Sequence, residues 1–217
     1  MTAGILILAF RFTGADDDKV DDWFNSEPLP EGNRPLGSRK RARWIGTNDP
    51  NLAVATYELD DAGGAGRSNP DPATAHTDLS AWSERASSMC QMVLRFEGEL
   101  IGPTACQAPD NASGLLINAM SVEPEWEDEF NAWYDTEHIP ALSAVPGTLS
   151  ARRFRAREGT PRYLAMYHLA SPDVQISPEW KQAANTPWTE RMRPRFRDHV
   201  RIVGKPHTPT IGRTSTP

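Results

Sequence analysis

The sequence has little cysteine: of its 217 residues, only Cys90 and Cys106 carry a thiol. Neither has a second thiol or a histidine at metal-ligand spacing, so a disulfide framework and a cysteine metal site are both unsupported. Long hydrophobic runs are also missing, because the apolar stretch 5–12 is too short to cross a bilayer and no basic segment precedes it. We therefore expect a cytoplasmic protein with no membrane contact.

Positive charge is also scarce. The formal net charge is −6 at pH 7, and no basic stripe is interleaved with aromatic residues, which speaks against a nucleic-acid partner. The sequence contains no glycine-rich phosphate loop, nucleophile elbow or HExxH helix. His138, His168 and His199 lie far apart, so a metal or haem ligand set would have to assemble by folding. We expect no cofactor and no metal.

The most informative feature that is present is an internal repeat. Residues 5–59 match residues 115–169 without a gap, and Trp23-Phe24 falls on Trp133-Tyr134. After a short insertion the match resumes where Trp82 meets Trp188. Two copies of one unit predict two fused domains rather than a solenoid. Positions kept in both copies are expected to be architectural, and positions that are polar in only one copy are candidates for chemistry.

Each copy shows the same order of elements, strand–helix–strand–strand–helix–strand, which is the ferredoxin-like arrangement. The predicted strands are 5–12, 39–45, 52–59 and 89–96, then 115–122, 149–156, 162–169 and 196–203. The predicted helices are 16–27, 73–88, 124–137 and 178–192, with Pro140 ending the third. The fold class is α+β, and the bare faces of two antiparallel sheets are expected to pack against each other around one central cavity, as a single-chain pseudo-dimer.

Composition sets the predicted boundaries. The first repeat covers 1–97, a glycine- and proline-containing linker covers 98–114, and the second repeat covers 115–204. Residues 205–217 form a tail rich in proline and threonine. The arginine-rich run 152–157 is interpreted as a strand with one solvated face, since strands alternate their faces with period two.

A motif in the second copy resembles a known superfamily. Residues 129–142 read EFNAWYDTEHIPAL and are followed by Val145-Pro146-Gly147. An aromatic pair, then histidine and proline, then Pro-Gly resembles the EthD-like branch of the dimeric α/β-barrel superfamily, here as a tandem duplication. The resemblance implies a small-molecule site. Relatives include cofactor-free monooxygenases, polyketide cyclases, isomerases and small decarboxylases, while haem-binding peroxidases and chlorite dismutases share the architecture, so the fold does not fix the reaction.

His138 is the leading catalytic candidate, because the first copy carries Pro28 at the same position. A histidine beside a cavity exchanges protons near neutral pH without a cofactor. Glu137 or Asp135 is expected to hold its tautomer. The alternative is a histidine that bonds loop carbonyls and holds the following turn.

Asn118 and His168 replace Leu8 and Glu58 of the first copy. A polar group in an apolar strand costs roughly 1–3 kcal/mol if it has no partner. Each residue therefore needs a partner, and a substrate carbonyl or hydroxyl is one choice. A hydrogen bond between strands is the other.

The remaining candidates surround these residues. Tyr134 has a hydroxyl that Phe24 lacks, which favours a place in the cavity wall. Trp133, Tyr167 and Arg153 recur in both copies and so favour a structural role, with Arg153 paired to Glu137. These three residues, with Asp135, are kept as substrate-binding candidates.

The favoured function is a cofactor-independent lyase, isomerase or cyclase reaction on a small aromatic or polyketide-like molecule. His138 would move the proton, and Asn118, Tyr134 or His168 would stabilise developing negative charge. Two alternatives stay open: a carrier or sensor of an apolar small molecule, and haem-dependent oxidation. Further pairing into a homo-oligomer is possible through exposed strand edges.

Overall fold

The computed structural model describes residues 2–13, 38–62, 90–102 and 108–207. The helices predicted at 16–27 and 73–88 lie outside these residues, as does most of the predicted tail. In the described ranges no helix is long and apolar enough to cross a membrane.

Eight antiparallel strands close into a barrel in the order β1-β3-β2-β8-β5-β7-β6-β4. Each predicted strand is present, and most extend a residue or more beyond the predicted limits. The strands are β1 (Gly4–Phe12), β2 (Ser38–Gly46), β3 (Leu52–Leu59), β4 (Cys90–Ile101), β5 (Gly114–Val122), β6 (Thr148–Ala156), β7 (Tyr163–Leu169) and β8 (Phe196–Pro206).

The two halves of the barrel have the same strand order. The first four strands run β4-β1-β3-β2 and the last four run β8-β5-β7-β6, so both follow the predicted ferredoxin-like pattern. The halves join where β2 pairs with β8 and where β4 pairs with β6. The α+β class with an antiparallel sheet is thus confirmed, while the gene duplication stays a prediction.

The interior of the barrel is filled with apolar side chains. Successive residues of a strand point to opposite faces, so Ile5 and Ile7 of β1 point inward, as do Leu115 and Ile117 of β5. All four are fully buried. Both halves contribute to one interior cluster. The prediction of a central cavity between the two sheets is therefore wrong at this core, because packed apolar side chains join the sheets there.

One ion pair crosses this interior from half to half. Arg152 of β6 donates from Nη1 and Nη2 to the two carboxylate oxygens of Glu58 of β3, each at 2.7 Å. The Arg152 and Glu58 side chains are only 3% and 13% exposed. Arg153 points to the other face and is also buried. The predicted solvated face of the run 152–157 is therefore wrong at these two positions, because one face lines the barrel and the other lies under helices.

The linker predicted at 98–114 begins inside a strand. β4 continues to Ile101 because its last residues pair with β6, from Gly98 opposite Ala156 to Ile101 opposite Arg153. This extension is half of the join between the two sheets. Composition alone did not reveal it, since Gly98 and Gly102 favoured a turn.

A helical layer covers the outer face of the second sheet. It contains α1 (Glu127–Trp133), a π-helical turn (Tyr134–His138), α2 (Ile139–Ser143), α3 (Pro178–Ala184) and α4 (Pro187–Met192). Pro140 does not end the helix as predicted. It lies in the first turn of α2, where its missing N–H costs little. The single helix predicted at 178–192 is two short helices, separated by Asn185 and Thr186.

Candidate functional site

A cavity of about 300 Å³ lies between the outer face of β5 and β8 and the helices that cover it. It is therefore outside the barrel, in the second half of the chain. Its walls are formed by aromatic, amide and basic side chains: Asn118, Met120, Trp133, Tyr134, His138, Leu142, Gln175, Trp180, Lys181, Ala184, Asn185, Thr189, Arg193, Phe196, His199 and Arg201.

The π-helical turn brings two of the predicted site residues to this cavity. Its wider hydrogen bond runs from the N–H of Ile139 to the carbonyl of Tyr134. Pro140 has no N–H, so it cannot donate to the carbonyl of Thr136 four residues earlier. Separately, the Thr136 hydroxyl donates to the carbonyl of Ala132 at 2.8 Å. Both features favour local widening of the helix. Such π turns occur frequently at functional sites.

His138 lies on the inner side of this turn, where it is 8% exposed. Its ring centroid is 4.3 Å from that of Trp133, and the ring meets Tyr134 edge to face at 5.2 Å. Its Nδ1 is buried and has no hydrogen-bond partner in the described structure. Burial, then the positive charges of Arg153 and Arg193, lowers the pKa of His138 from 6.5 to about 3. The ring is neutral at pH 7, and its low pKa makes it a weak base until a ligand changes its surroundings.

Neither carboxylate predicted to hold His138 does so. Glu137 accepts a hydrogen bond from the Thr186 hydroxyl at 2.5 Å, and Asp135 accepts one from Arg153 at 2.6 Å. The predicted pairing of Glu137 with Arg153 is wrong as well. Consecutive residues on a helix point in different directions, so the neighbours of His138 in sequence face α4 and β6 rather than the imidazole.

Arg153 of β6 is bonded to the π-helical turn and to the end of α1. Its guanidinium bonds Asp135 and also donates to the Asn131 side-chain oxygen at 2.8 Å. It lies 4.2 Å from the ring centroid of Tyr134, within the range of a cation–π contact. Arg153 is buried and does not line the cavity, so it positions Tyr134 rather than binding a ligand.

Tyr134 and Trp133 form the inner wall. The Tyr134 hydroxyl contacts only the sulfur of Met120 at 4.0 Å, a weak acceptor. Burial raises the pKa of Tyr134 to about 12, so the phenol keeps its proton. Trp133 donates from Nε1 to the Thr189 hydroxyl at 3.3 Å, which ties the turn to α4.

Asn118 lies on the opposite wall, in β5. It alternates with Leu116 and Met120 and so points to the helical side of the sheet, where it is half-buried. Its partner across the strands is Arg201 of β8, which also lines the cavity. The prediction that Asn118 points into a cavity is consistent with this position, although the cavity is on the other side of the sheet from the one predicted.

His168 and Tyr167 are not part of the site. His168 points into the barrel, where its Nδ1 lies 3.1 Å from the Ser150 hydroxyl and its ring is 5.9 Å from that of Trp44. Tyr167 is fully buried under α3, edge to face with Trp180. The alternation of β7 explains the separation, because a residue on the inner face cannot reach a cavity on the outer face.

The sequence reasoning missed the basic side chains at the mouth of the cavity, Lys181, Arg193 and Arg201. Their signal was weak because exposed basic residues are common. The pairing of β5 with β8 would have placed Arg201 beside Asn118, but that register is not visible from composition.

Two buried histidines make the stability depend on pH. Burial, then Arg152 and Lys40, lowers the pKa of His168 to about 3, as for His138. Below pH 6.5 the unfolded chain takes up protons at both residues and the folded chain does not, so stability falls with pH between 6.5 and 3. We expect the free energy of unfolding to fall by about 2 kcal/mol per histidine from pH 7.5 to 5. Urea unfolding of the wild type and of His168→Gln checks this, since the variant should lose half of the dependence. Equal stability of the wild type at the two pH values would contradict the assignment.

The sequence matches no protein-family model and no curated protein. Solved structures do match it along almost its whole length. A proposed monooxygenase from Fusobacterium nucleatum superposes with a TM-score of 0.59 at 9% identity, covering 95% of this chain and 93% of that one. An anthrone oxidase-like protein superposes with a TM-score of 0.60 at 12% identity, covering 94% of this chain and 92% of that one. A chlorite dismutase from Candidatus Nitrospira defluvii gives 0.59 at 10% identity, with 95% and 91% covered.

The likeness shows one fold. It is an antiparallel α/β barrel, which these neighbours share. Their names are those of oxidative enzymes, and this overturns the expected lyase, isomerase or cyclase reaction. That expectation was wrong because a proton-handling histidine beside an aromatic cavity is equally compatible with oxidation.

Proposed function

We propose that the chain is an enzyme that oxidises a small, electron-rich aromatic molecule in the cavity beneath the π-helical turn. The observation that carries the proposal is His138. It is neutral, its ring packs against Trp133, and it lines the cavity. The oxidative names of the fold neighbours support the reaction class.

A reaction that fits is conversion of an activated methylene to a ketone by dioxygen, as an anthrone would undergo. The overall change is R₂CH₂ + O₂ → R₂C=O + H₂O. His138 takes a proton from the methylene carbon, and the carbanion adds dioxygen to form a peroxide. His138 returns the proton to the outer oxygen, and loss of water from the hydroperoxide leaves the ketone. The substrate supplies all four electrons, so the reaction needs no separate reductant.

Two other side chains have roles in this scheme. The phenol of Tyr134 stays protonated because its pKa is raised to about 12, so its O–H can donate to a substrate oxygen. Asn118 can donate from its amide to the carbonyl that stabilises the carbanion as an enolate. Both line the cavity, on opposite walls.

Haem does not fit this site. A neutral histidine is a good iron ligand, and chlorite dismutases are haem-dependent. The cavity of about 300 Å³, however, is at the low end of the roughly 300–1,000 Å³ typical of small-molecule sites, and a porphyrin is a large, flat and mainly apolar group. Three amide and three basic side chains also line the cavity, which does not suit a mainly apolar macrocycle. No step of the reaction is therefore assigned to haem.

The test is oxygen uptake with anthrone under ¹⁸O₂, followed by mass spectrometry of the product. We expect enzyme-dependent formation of anthraquinone with one ¹⁸O atom, above the rate of spontaneous oxidation in buffer. Protein incubated with haem and desalted should show no stoichiometric Soret band and no gain in rate. A stoichiometric Soret band with haem-dependent turnover would replace this proposal by haem chemistry, and no uptake under either condition would remove it.

The finer classification belongs to the same proposal. The motif at 129–142 supports membership of the EthD-like branch, and the equal strand order of the two halves supports a tandem duplication. A cytoplasmic location is part of the proposal as well, as is pairing of the barrel into a homo-oligomer.

A further inference from the structure

We infer that the substrate of this cavity carries an anionic group, a carboxylate on an aromatic ring, which Arg193 and Arg201 bind at the mouth. The inference rests on the proposed function for the identity of the site and adds the class of molecule that enters it. Lys181 is the third basic side chain of the wall, and no aspartate or glutamate is among the described residues that line it.

The two arginines differ from the nearby Arg191 and Arg197 in their partners. Arg193 donates from Nη2 to the side-chain oxygen of Asn185 at 2.8 Å, and Arg201 donates to the side-chain oxygen of Gln175. An amide oxygen orients a guanidinium without neutralising it. Neither arginine has a carboxylate partner among the described residues, so each keeps its full charge for a ligand.

Arginines close by are neutralised. Arg191 pairs with Glu129, and Arg197 pairs with Glu123. Neither lines the cavity. The whole chain is acidic, with a net charge of −6, so three uncompensated cations around one opening are not an average property of its surface.

The positions of the cations also suit the reaction. Arg201 is directly across from Asn118, and the charge of Arg193 is one of the causes that lower the pKa of His138. A bound carboxylate would offset that charge and make His138 a stronger base when substrate is present. The bidentate geometry of arginine with carboxylates would also fix the orientation of a flat ring.

The experiment compares two probes of equal shape, 2-naphthoate and its neutral amide, 2-naphthamide, by calorimetry in low salt. We expect the wild type to bind the naphthoate about 10-fold more tightly, since one hydrogen bond to a charged group is worth about that much. The preference should shrink in 1 M NaCl because the mouth is exposed. In the double variant Arg193→Gln/Arg201→Gln the two affinities should become equal, while that for the amide stays unchanged.

The matched control is Arg191→Gln/Arg197→Gln, which removes the same charge from nearby arginines outside the cavity. It should keep the 10-fold preference. Equal binding of both probes to the wild type, binding of neither, or equal loss in the control variant would overturn the inference. The oxidation proposal is judged separately. If the protein prefers naphthoate but takes up no oxygen with anthrone or a carboxylated anthrone, the anion site is retained and the oxidation proposal is rejected. If it takes up oxygen but does not prefer naphthoate, the oxidation proposal is retained and the anion site is rejected.

Discussion

Replacing His138 by alanine lowers kcat for anthrone oxidation by roughly 10²–10⁴-fold, the range found for loss of a general base. The reason is that His138 is the histidine of the cavity wall whose ring packs against both Trp133 and Tyr134. Binding of 2-naphthoate should weaken far less than kcat falls, because the basic residues at the mouth remain. Steady-state oxygen uptake and calorimetry measure the two effects.

The chain contains its own control for this substitution. His168 is also buried and its pKa is also lowered to about 3, but it lies inside the barrel beside Ser150 and Trp44. His168→Ala should leave kcat within about 2-fold while costing roughly 1–3 kcal/mol of stability. If His138→Ala keeps full turnover in its folded fraction, or if the two variants lose activity equally, His138 is not the base.

The second large effect concerns the ion pair that joins the two halves. Glu58→Ala leaves Arg152 charged and buried, with both oxygens of its carboxylate partner removed. We expect a loss of about 3–5 kcal/mol in the free energy of unfolding, the usual cost of a buried charge without its partner. Urea unfolding followed by tryptophan fluorescence measures it.

A second substitution separates this cause from simple loss of packing. Arg152→Met removes the unpaired charge and keeps an apolar side chain of similar length. In the Glu58→Ala background it should recover much of the loss, because replacing both partners of a buried pair by apolar groups is often close to neutral. A double variant no more stable than Glu58→Ala alone would show that the charge is not the reason.

The strands of the barrel were predictable from local pattern. Short apolar or alternating segments bounded by glycine and proline, repeated in two copies, gave each of the eight strands. The helices of the second half were located less well. Pro140 was taken as a terminator, whereas the chain tolerates it in the first turn of a new helix after a π turn. Tyr134 and His138 in this π turn are buried by tertiary packing, which the local sequence pattern does not reveal.

The position of the site was not predictable in the same way. His138, Tyr134 and Asn118 were chosen from differences between the two copies and all line the cavity, but His168 was also chosen from such a difference and lies inside the barrel. Polarity in one copy shows that a residue has a specific partner, not which face of the sheet it occupies. The partner of His168 is Ser150, which belongs to the same half of the barrel.

The central claim is that the ligand site lies outside the barrel, between β5, β8 and the helical layer. A crystal structure of the protein with 2-naphthoate tests it most directly. The account predicts density for the ring against Trp133 and His138, with the carboxylate at Arg193 and Arg201. Density inside the barrel beside His168, or a helical layer packed too closely onto β5 to admit any ligand, would contradict it.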